Sequence, residues 1–433
     1  MFKKLSQVFR SPDMRKKIFF TLGALLLFRL TTQVTLPGAN LDAIRAIFAQ
    51  NNLLGVFSAL TGGSAHNFSI VLMGVSPYIN ASIIIQLLAV IIPKFESLSK
   101  EGPEGQRTLN KYTRWLAVPL ALLQSYGTIA LLNSQSQLPI VENIQNPMVI
   151  IPIMITATAG TMWLMWLGEI ITEKGIGNGI SLIIFANIVS GIPQIIAQGL
   201  FVGQVDSSAF IPFVGNILFT IIMLVMIVLM TEGERRIPIT YAGQKMQLGA
   251  NQSNLPIKIN QAGMVPIIFA VSLINFPGLA GQLMQRAASA RIRGIGEALI
   301  SFFNPSSVTY LALYFIFIVL FTYFYVSITF NPKQIAENIQ KRGGYIPGIR
   351  PGTQTVQYIS KISTRLTLFG GLFLAFIALA PSLLNNYVFK AASSGSVANL
   401  ISGAGMIIIV GVVLDLVRQV NAQLIMHDYD KLV

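Results

Sequence analysis

The side chains able to do covalent or acid–base chemistry are few in this chain and poorly grouped. There is no cysteine, which excludes disulfides, thiolate metal sites and thiol nucleophiles. His66 and His427 stand far apart and read as loop and tail residues rather than as a metal pair. Glu169 and Glu173 fall at the end of an apolar run and read as boundary charges. Arg29 and Asp415 are the main ionisable groups inside apolar runs, and no second acid accompanies Asp415 to form a relay. Gly175, Gly177 and Gly179 imitate a dinucleotide fingerprint, yet they follow an apolar run of membrane length instead of a strand. A phosphate-binding Gly-x-x-x-x-Gly-Lys-Ser/Thr is absent, as is any Gly-Lys dipeptide. No enzyme is expected, no cofactor or metal, and any driving energy must come from a partner. A secondary transporter of a small solute is the alternative, weakened by the missing midplane relay.

What the chain has in abundance is apolar length. Of 433 residues 53% are hydrophobic and 11% charged, where a soluble domain has about 25% charged residues. Apolar runs of membrane length recur throughout, and about 20 residues of helix match a hydrocarbon core roughly 30 Å thick. Hydropathy with Gly, Pro and charge punctuation places spans near residues 18–36, 71–92, 113–132, 149–168 and 179–198, then 212–231, 262–280, 308–329, 364–383 and 399–420. The fold class is therefore all-α integral membrane with ten transmembrane helices.

The basic residues orient these spans. Lys3, Lys4, Arg10, Arg15, Lys16 and Lys17 precede the first apolar run with no small-residue cleavage site after it, so the first span is expected to be kept, with the N-terminus in the cytoplasm. Ten spans return the C-terminus to the same side. Of 30 Lys and Arg, 22 then fall in cytoplasmic segments and 5 in external loops, with Arg29, Arg365 and Arg418 in or at the ends of spans. The external exception is the stretch holding Arg286, Arg291 and Arg293. The net charge of +14 is thus mostly topological rather than a nucleic-acid footprint. Five spans per half put residues 1–205 and 206–433 in opposite orientations, the arrangement by which many transport proteins place a pathway between two bundles.

Two features lie outside the span pattern. Between the first two spans, Leu53 to Leu60 followed by Thr61-Gly62-Gly63-Ser64 is far too short to cross, and is either re-entrant beside a cavity or a helix lying on the outer surface. On the other side, Thr231–Gln261 and Asn331–Lys361 are polar loops of about 30 residues, a length that usually carries function or is disordered. Arg235, Arg236 and Lys245 in the first, and Lys341, Arg342 and Arg350 in the second, suit forked or point contacts to carboxylate or phosphate.

The run Met73-Gly74-Val75-Ser76-Pro77-Tyr78-Ile79-Asn80-Ala81-Ser82 resembles the second span of the SecY family of protein-conducting channels. Leu167-Gly168-Glu169 through Gly179, Ala262-Gly263-Met264-Val265-Pro266, Phe330-Asn331-Pro332 and Gly344-Tyr345-Ile346-Pro347-Gly348-Ile349-Arg350-Pro351-Gly352 agree with it in order and spacing. The resemblance implies a clamshell of two inverted five-helix halves around an hourglass pore, with a re-entrant plug helix formed here by Leu54, Val56, Phe57 and Leu60 and hinged at Gly62-Gly63. It implies a pore ring at Val75, Ile79, Ile184, Ile188, Ile268 and Ile408, Val75 being shorter than the family's isoleucine. Spans two, three, seven and eight would border a lateral gate, with Ser82, Gln124, Ser272 and Asn275 as its polar candidates. The family works with the subunits SecE and SecG, and its cytoplasmic loops dock the ATPase SecA or the ribosome, Arg350 matching an arginine that matters at the loop tip. Unfolded, signal-bearing preproteins would cross the bacterial cytoplasmic membrane or be released sideways among its lipids.

Overall fold

The computed structural model describes residues 11–38, 40, 68–135, 140–141, 146–205, 207–241, 253–284, 289–304, 307–384 and 402–430. In chain order the elements are α1 (Pro12–Thr31), α2 (Ser76–Ile91), α3 (Pro93–Lys100), α4 (Pro103–Gln135), α5 (Pro147–Lys174), α6 (Gly179–Val205), α7 (Ser207–Glu232), β1 (Glu234–Tyr241), β2 (Ser253–Lys258), α8 (Val265–Met284), α9 (Ala290–Phe302), α10 (Val308–Thr329), α11 (Pro332–Lys341), β3 (Gly344–Tyr345), α12 (Thr353–Leu384) and α13 (Gly403–Asp430). Pro12, Pro93, Pro103, Pro147 and Pro332 open their helices, where a missing N–H costs nothing. Asn146, Ser307 and Asn331 cap α5, α10 and α11 by accepting from the backbone N–H of Met148, Tyr310 and Gln334.

Each of the ten expected spans meets one helix: α1, α2, α4, α5, α6, α7, α8, α10, α12 and α13. Among the described residues six stretches are long and apolar enough to cross a membrane unaided, and α2 with α3, bent by 103° at Ile92, makes a seventh if counted together. α1 and α4 open on charged turns, and α8 is apolar over Val265–Ile274.

The packing repeats itself between the halves although no residue repeat is visible. α2 lies on α4, α4 on α5 and α5 on α6; equivalently α8 lies on α10, α10 on α12 and α12 on α13. The halves meet along two seams, α2 and α4 against α8 on one side, and α6 against α7 and α13 on the other. This is the clamshell of two inverted halves that the resemblance implies.

The second span departs from expectation at its start. Phe68–Val75 is not helical, and Phe68, Ser69, Val71, Leu72, Met73 and Val75 are all buried. Leu36 N–H donates to Phe68 O at 2.8 Å, Ile70 N–H to Val34 O at 2.9 Å, and Ser69 Oγ to Thr31 O at 2.9 Å. Non-helical backbone at depth survives because protein supplies these partners. Gly160 on α5 makes the room, since a Cβ there would collide with the Ile70 carbonyl.

The two polar loops are not separate. β1 pairs antiparallel with β2, Glu234 opposite Lys258 through Ile239 opposite Ser253, and β3 of the second loop pairs with the end of β1 at Thr240 and Tyr241. The sheet order β2-β1-β3 welds both loops into one layer. Ile237, Ile239, Ile257, Ala336, Ile339, Ile346 and Ile359 form its own apolar core under α11 and the start of α12. The sheet is a small addition to a fold that is otherwise all-α, as expected.

Candidate functional site

Four helices bring the six ring candidates together. Val75 is the residue before α2 and Ile79 lies one turn inside it; Ile184 and Ile188 share one face of α6. Ile268 comes from the first turn of α8 and Ile408 from the second turn of α13. All six belong to one apolar cluster, in which Val75 and Ile408 are buried and the other four retain partial exposure. Val71, Val412 and Met264 join the same cluster and were not singled out in the sequence. Met264 stands in one of the matching motifs, and Gly411 of α13 faces it so closely that a Cβ there would be 3.4 Å from its sulfur. Asn187, one turn from Ile184, is buried with its Oδ1 unpartnered among the described residues.

The gate candidates lie on helices that do meet, α8 crossing both α2 and α4. Ser82 accepts a hydrogen bond from Gln86 Nε2 at 3.0 Å within α2, and Gln124 and Ser272 are half-buried. Among the described residues no hydrogen bond joins the three to one another. The Asn275 side chain, the plug candidates Leu54, Val56, Phe57, Leu60, Gly62 and Gly63, and Lys245 all lie outside the described residues.

Arg235, Arg236, Lys341, Arg342 and Arg350 are exposed on the sheet layer. Arg236 Nε is 2.7 Å from Glu234 Oε1. Arg350 is held at a tip between Gly348 at φ +79° and Gly352 at φ +101°, left-handed positions that suit glycine, and its carbonyl accepts from Thr355 Oγ1 at 3.1 Å.

A charged cluster missed in the sequence joins this layer to α13. Arg418 Nη2 is 2.6 Å from Glu232 Oε1 and Arg418 Nη1 is 3.6 Å from Asp415 Oδ1, so the candidate transport acid is an ion-pair partner. Burial, and after it the Arg418 guanidinium, hold the Lys258 ammonium below its ordinary value against the opposing pull of Asp415, Glu232 and Glu234. A second pair, Arg114 to Glu169 at 2.6 Å, fastens α4 to α5.

Residues 69–417 match the family model SecY. The chain belongs to the SecY family. It is 38% identical to the protein translocase subunit SecY of Corynebacterium glutamicum over 450 residues, covering 98% of each chain, and 37% identical to that of Staphylococcus epidermidis over 438 residues, covering 99% of each. Its fold is similar to that of a solved protein-conducting channel (TM-score 0.67, 19% identity, 94% of this chain and 92% of the other). It is similar also to a Sec61 channel from a canine ribosome–channel complex of the endoplasmic reticulum (TM-score 0.66, 19% identity, 94% and 92%). Another similar structure is a SecY whose plug domain is described as stabilising the closed channel and maintaining the membrane seal (TM-score 0.67, 21% identity, 94% and 92%). This member of the SecY family is thus a multi-pass protein of a bacterial membrane and the subunit of a protein-conducting channel.

Proposed function

We propose that the channel conducts unfolded, signal-bearing preproteins through the apolar cluster of Val75, Ile79, Ile184, Ile188, Ile268 and Ile408. The observation that carries this reading is that four helices from both halves contribute those side chains to one cluster. An apolar constriction dewets and blocks ions, yet it yields to a chain of varied chemistry. The halves divide at residues 205 and 206, where α6 gives way to α7, and the segment holding Leu54 to Gly63 plugs the external side. The α2/α4–α8 seam, with Ser82, Gln124, Ser272 and Asn275 near it, opens laterally to lipid. Both termini and the sheet layer are cytoplasmic.

The channel does not drive itself. The exposed arginines and lysines of the sheet layer, with Arg350 at its tip, dock either the ATPase SecA or the ribosome, as does Lys245 of the same polar loop, while SecE and SecG complete the membrane complex. Support for ribosome docking comes from similar channels described in ribosome complexes, the canine Sec61 and the yeast Ssh1 complex. The test is ATP-dependent translocation of a signal-bearing preprotein into proteoliposomes holding this chain with SecE, SecG and SecA. Wild type is expected to protect the preprotein and Arg350→Glu to lose that protection with the complex still assembled. Equal transport by both would remove Arg350 from docking.

A further inference from the structure

The positive-inside pattern fails in one place, the loop between α8 and α10 that holds Arg286, Arg291 and Arg293. Part of that loop, among the described residues, is a helix. α9 spans Ala290–Phe302 and packs on α8 through Gly281, where a Cβ would come within 2.9 Å of Gly296 O and of Leu299 Cβ. Because α8 leads away from β2 and α10 leads back toward α11 and β3, α9 lies at the opposite end of the bundle from the sheet layer.

Only Gly296 of α9 is buried. Ile292, Ile295, Leu299 and Phe302 follow 3-4-3 spacing and so share one face. Three of them point into the open, with Ile292, Ile295 and Phe302 exposed at 41, 54 and 47%. Ile300, which packs on Gly281, widens the apolar arc to about 160° at about 100° per residue; Arg291 and Arg293 then fall just beyond its two edges and Glu297 within the polar arc. Among the described residues neither arginine is paired with a carboxylate. Val308, which opens α10 six residues after Phe302, is likewise 68% exposed. A helix with an apolar face rimmed by arginines lies in a membrane interface, its long side chains reaching up to headgroup phosphates. The charge selects anionic headgroups over zwitterionic ones.

We infer that α9 is an interfacial anchor that seats the outer ends of α8 and α10 on anionic lipid of the external leaflet. The leaflet rests on the orientation proposed above, whereas the interfacial depth does not. Since α8 and α10 are the second half's share of the proposed gate, the lipid it holds sets how freely they move.

The natural absence of cysteine makes the test clean. Ile295→Cys and Ser301→Cys, each spin-labelled in the assembled complex in nanodiscs of phosphatidylglycerol and phosphatidylcholine, report depth. The expected result is an Ile295 label accessible to oxygen and screened from a water-soluble nickel chelate, with Ser301 the reverse. Lipids retained by the purified complex are expected to be enriched in phosphatidylglycerol, with part of that enrichment lost in Arg291→Gln and in Arg293→Gln and more lost in the double variant. Both labels open to water, an Ile295 label screened from both reagents, or unchanged lipid enrichment would overturn the inference. A membrane-impermeant maleimide on Ser301→Cys tests the side separately. Reaction with sealed spheroplasts supports the external leaflet, and reaction only after permeabilisation overturns that assignment.

Discussion

Arg418 Nη2 of α13 lies 2.6 Å from Glu232 Oε1 at the last residue of α7, two positions before β1 begins. α13 carries Ile408 ten residues earlier, roughly 15 Å along the same helix axis. A rigid rod therefore runs from the layer proposed to receive the motor to the cluster proposed to form the pore.

Breaking that pair is expected to cost little stability and more coupling. With side-chain exposures of 35 and 52%, solvent screens it to about 1 kcal/mol or less. Arg418→Gln and Glu232→Gln should each slow translocation while barely moving the thermal midpoint. The charge swap Arg418→Glu with Glu232→Arg should restore part of the rate, and a double-mutant cycle on rate measures the coupling.

Gly160 should tolerate no side chain. A Cβ there meets the Ile70 carbonyl, which is fixed by the buried Phe68–Val75 segment. Gly160→Ala is expected to destabilise by about 1–3 kcal/mol by overpacking, and Gly160→Val by more. Thermal unfolding of the detergent-solubilised complex checks the magnitude. Ion leak through the resting channel checks whether Val75 moves with the segment.

Ile184→Ser and Ile268→Ser should wet the constriction. The expected outcome is a raised resting ion conductance in planar bilayers, larger when both changes are combined, with the complex still assembled. Leu218→Ser, at a site 59% exposed on α7, should leave conductance unchanged.

Lys258 gives a pH signature outside the membrane. Its folded value lies below the ordinary 10.5, so in the window between the two the unfolded chain holds more protons. Stability contributed by this site should then rise with pH through that window and be flat below it. Lys258→Met should remove the rise, as measured by denaturation midpoints of the complex at successive alkaline pH values.

Hydropathy made the ten spans legible because each is a long apolar run with charged or Gly/Pro punctuation, and the basic residues fixed their expected alternation. The start of the second span was illegible because Ile70–Val75 is as apolar as a helix. Only Gly74, at φ +56°, hints that the backbone turns there. The sheet was hidden for another reason. Pro238 in β1 and Pro256 in β2 argue against strands, and β3 is two residues long. What joins the two loops is Gly344, packed where a Cβ would be 2.9 Å from Tyr241 Cε1, a contact that no local pattern encodes. The ring positions came from resemblance, since an isoleucine facing a pore and one facing lipid look alike in a single sequence. Arg418 sits beside apolar neighbours, and its importance rests on Glu232, a partner far away in the chain.

The most direct test of the channel reading is disulfide cross-linking to a preprotein stalled in transit. Ile184→Cys, Ile268→Cys and Ile408→Cys would be compared with the lipid-facing Leu218→Cys in an otherwise cysteine-free chain, against a single cysteine in the middle of the stalled segment. The expected result is a cross-link at all three cluster positions and none at Leu218. Silence at the cluster, with the preprotein shown to be stalled across the membrane, would contradict the proposed path.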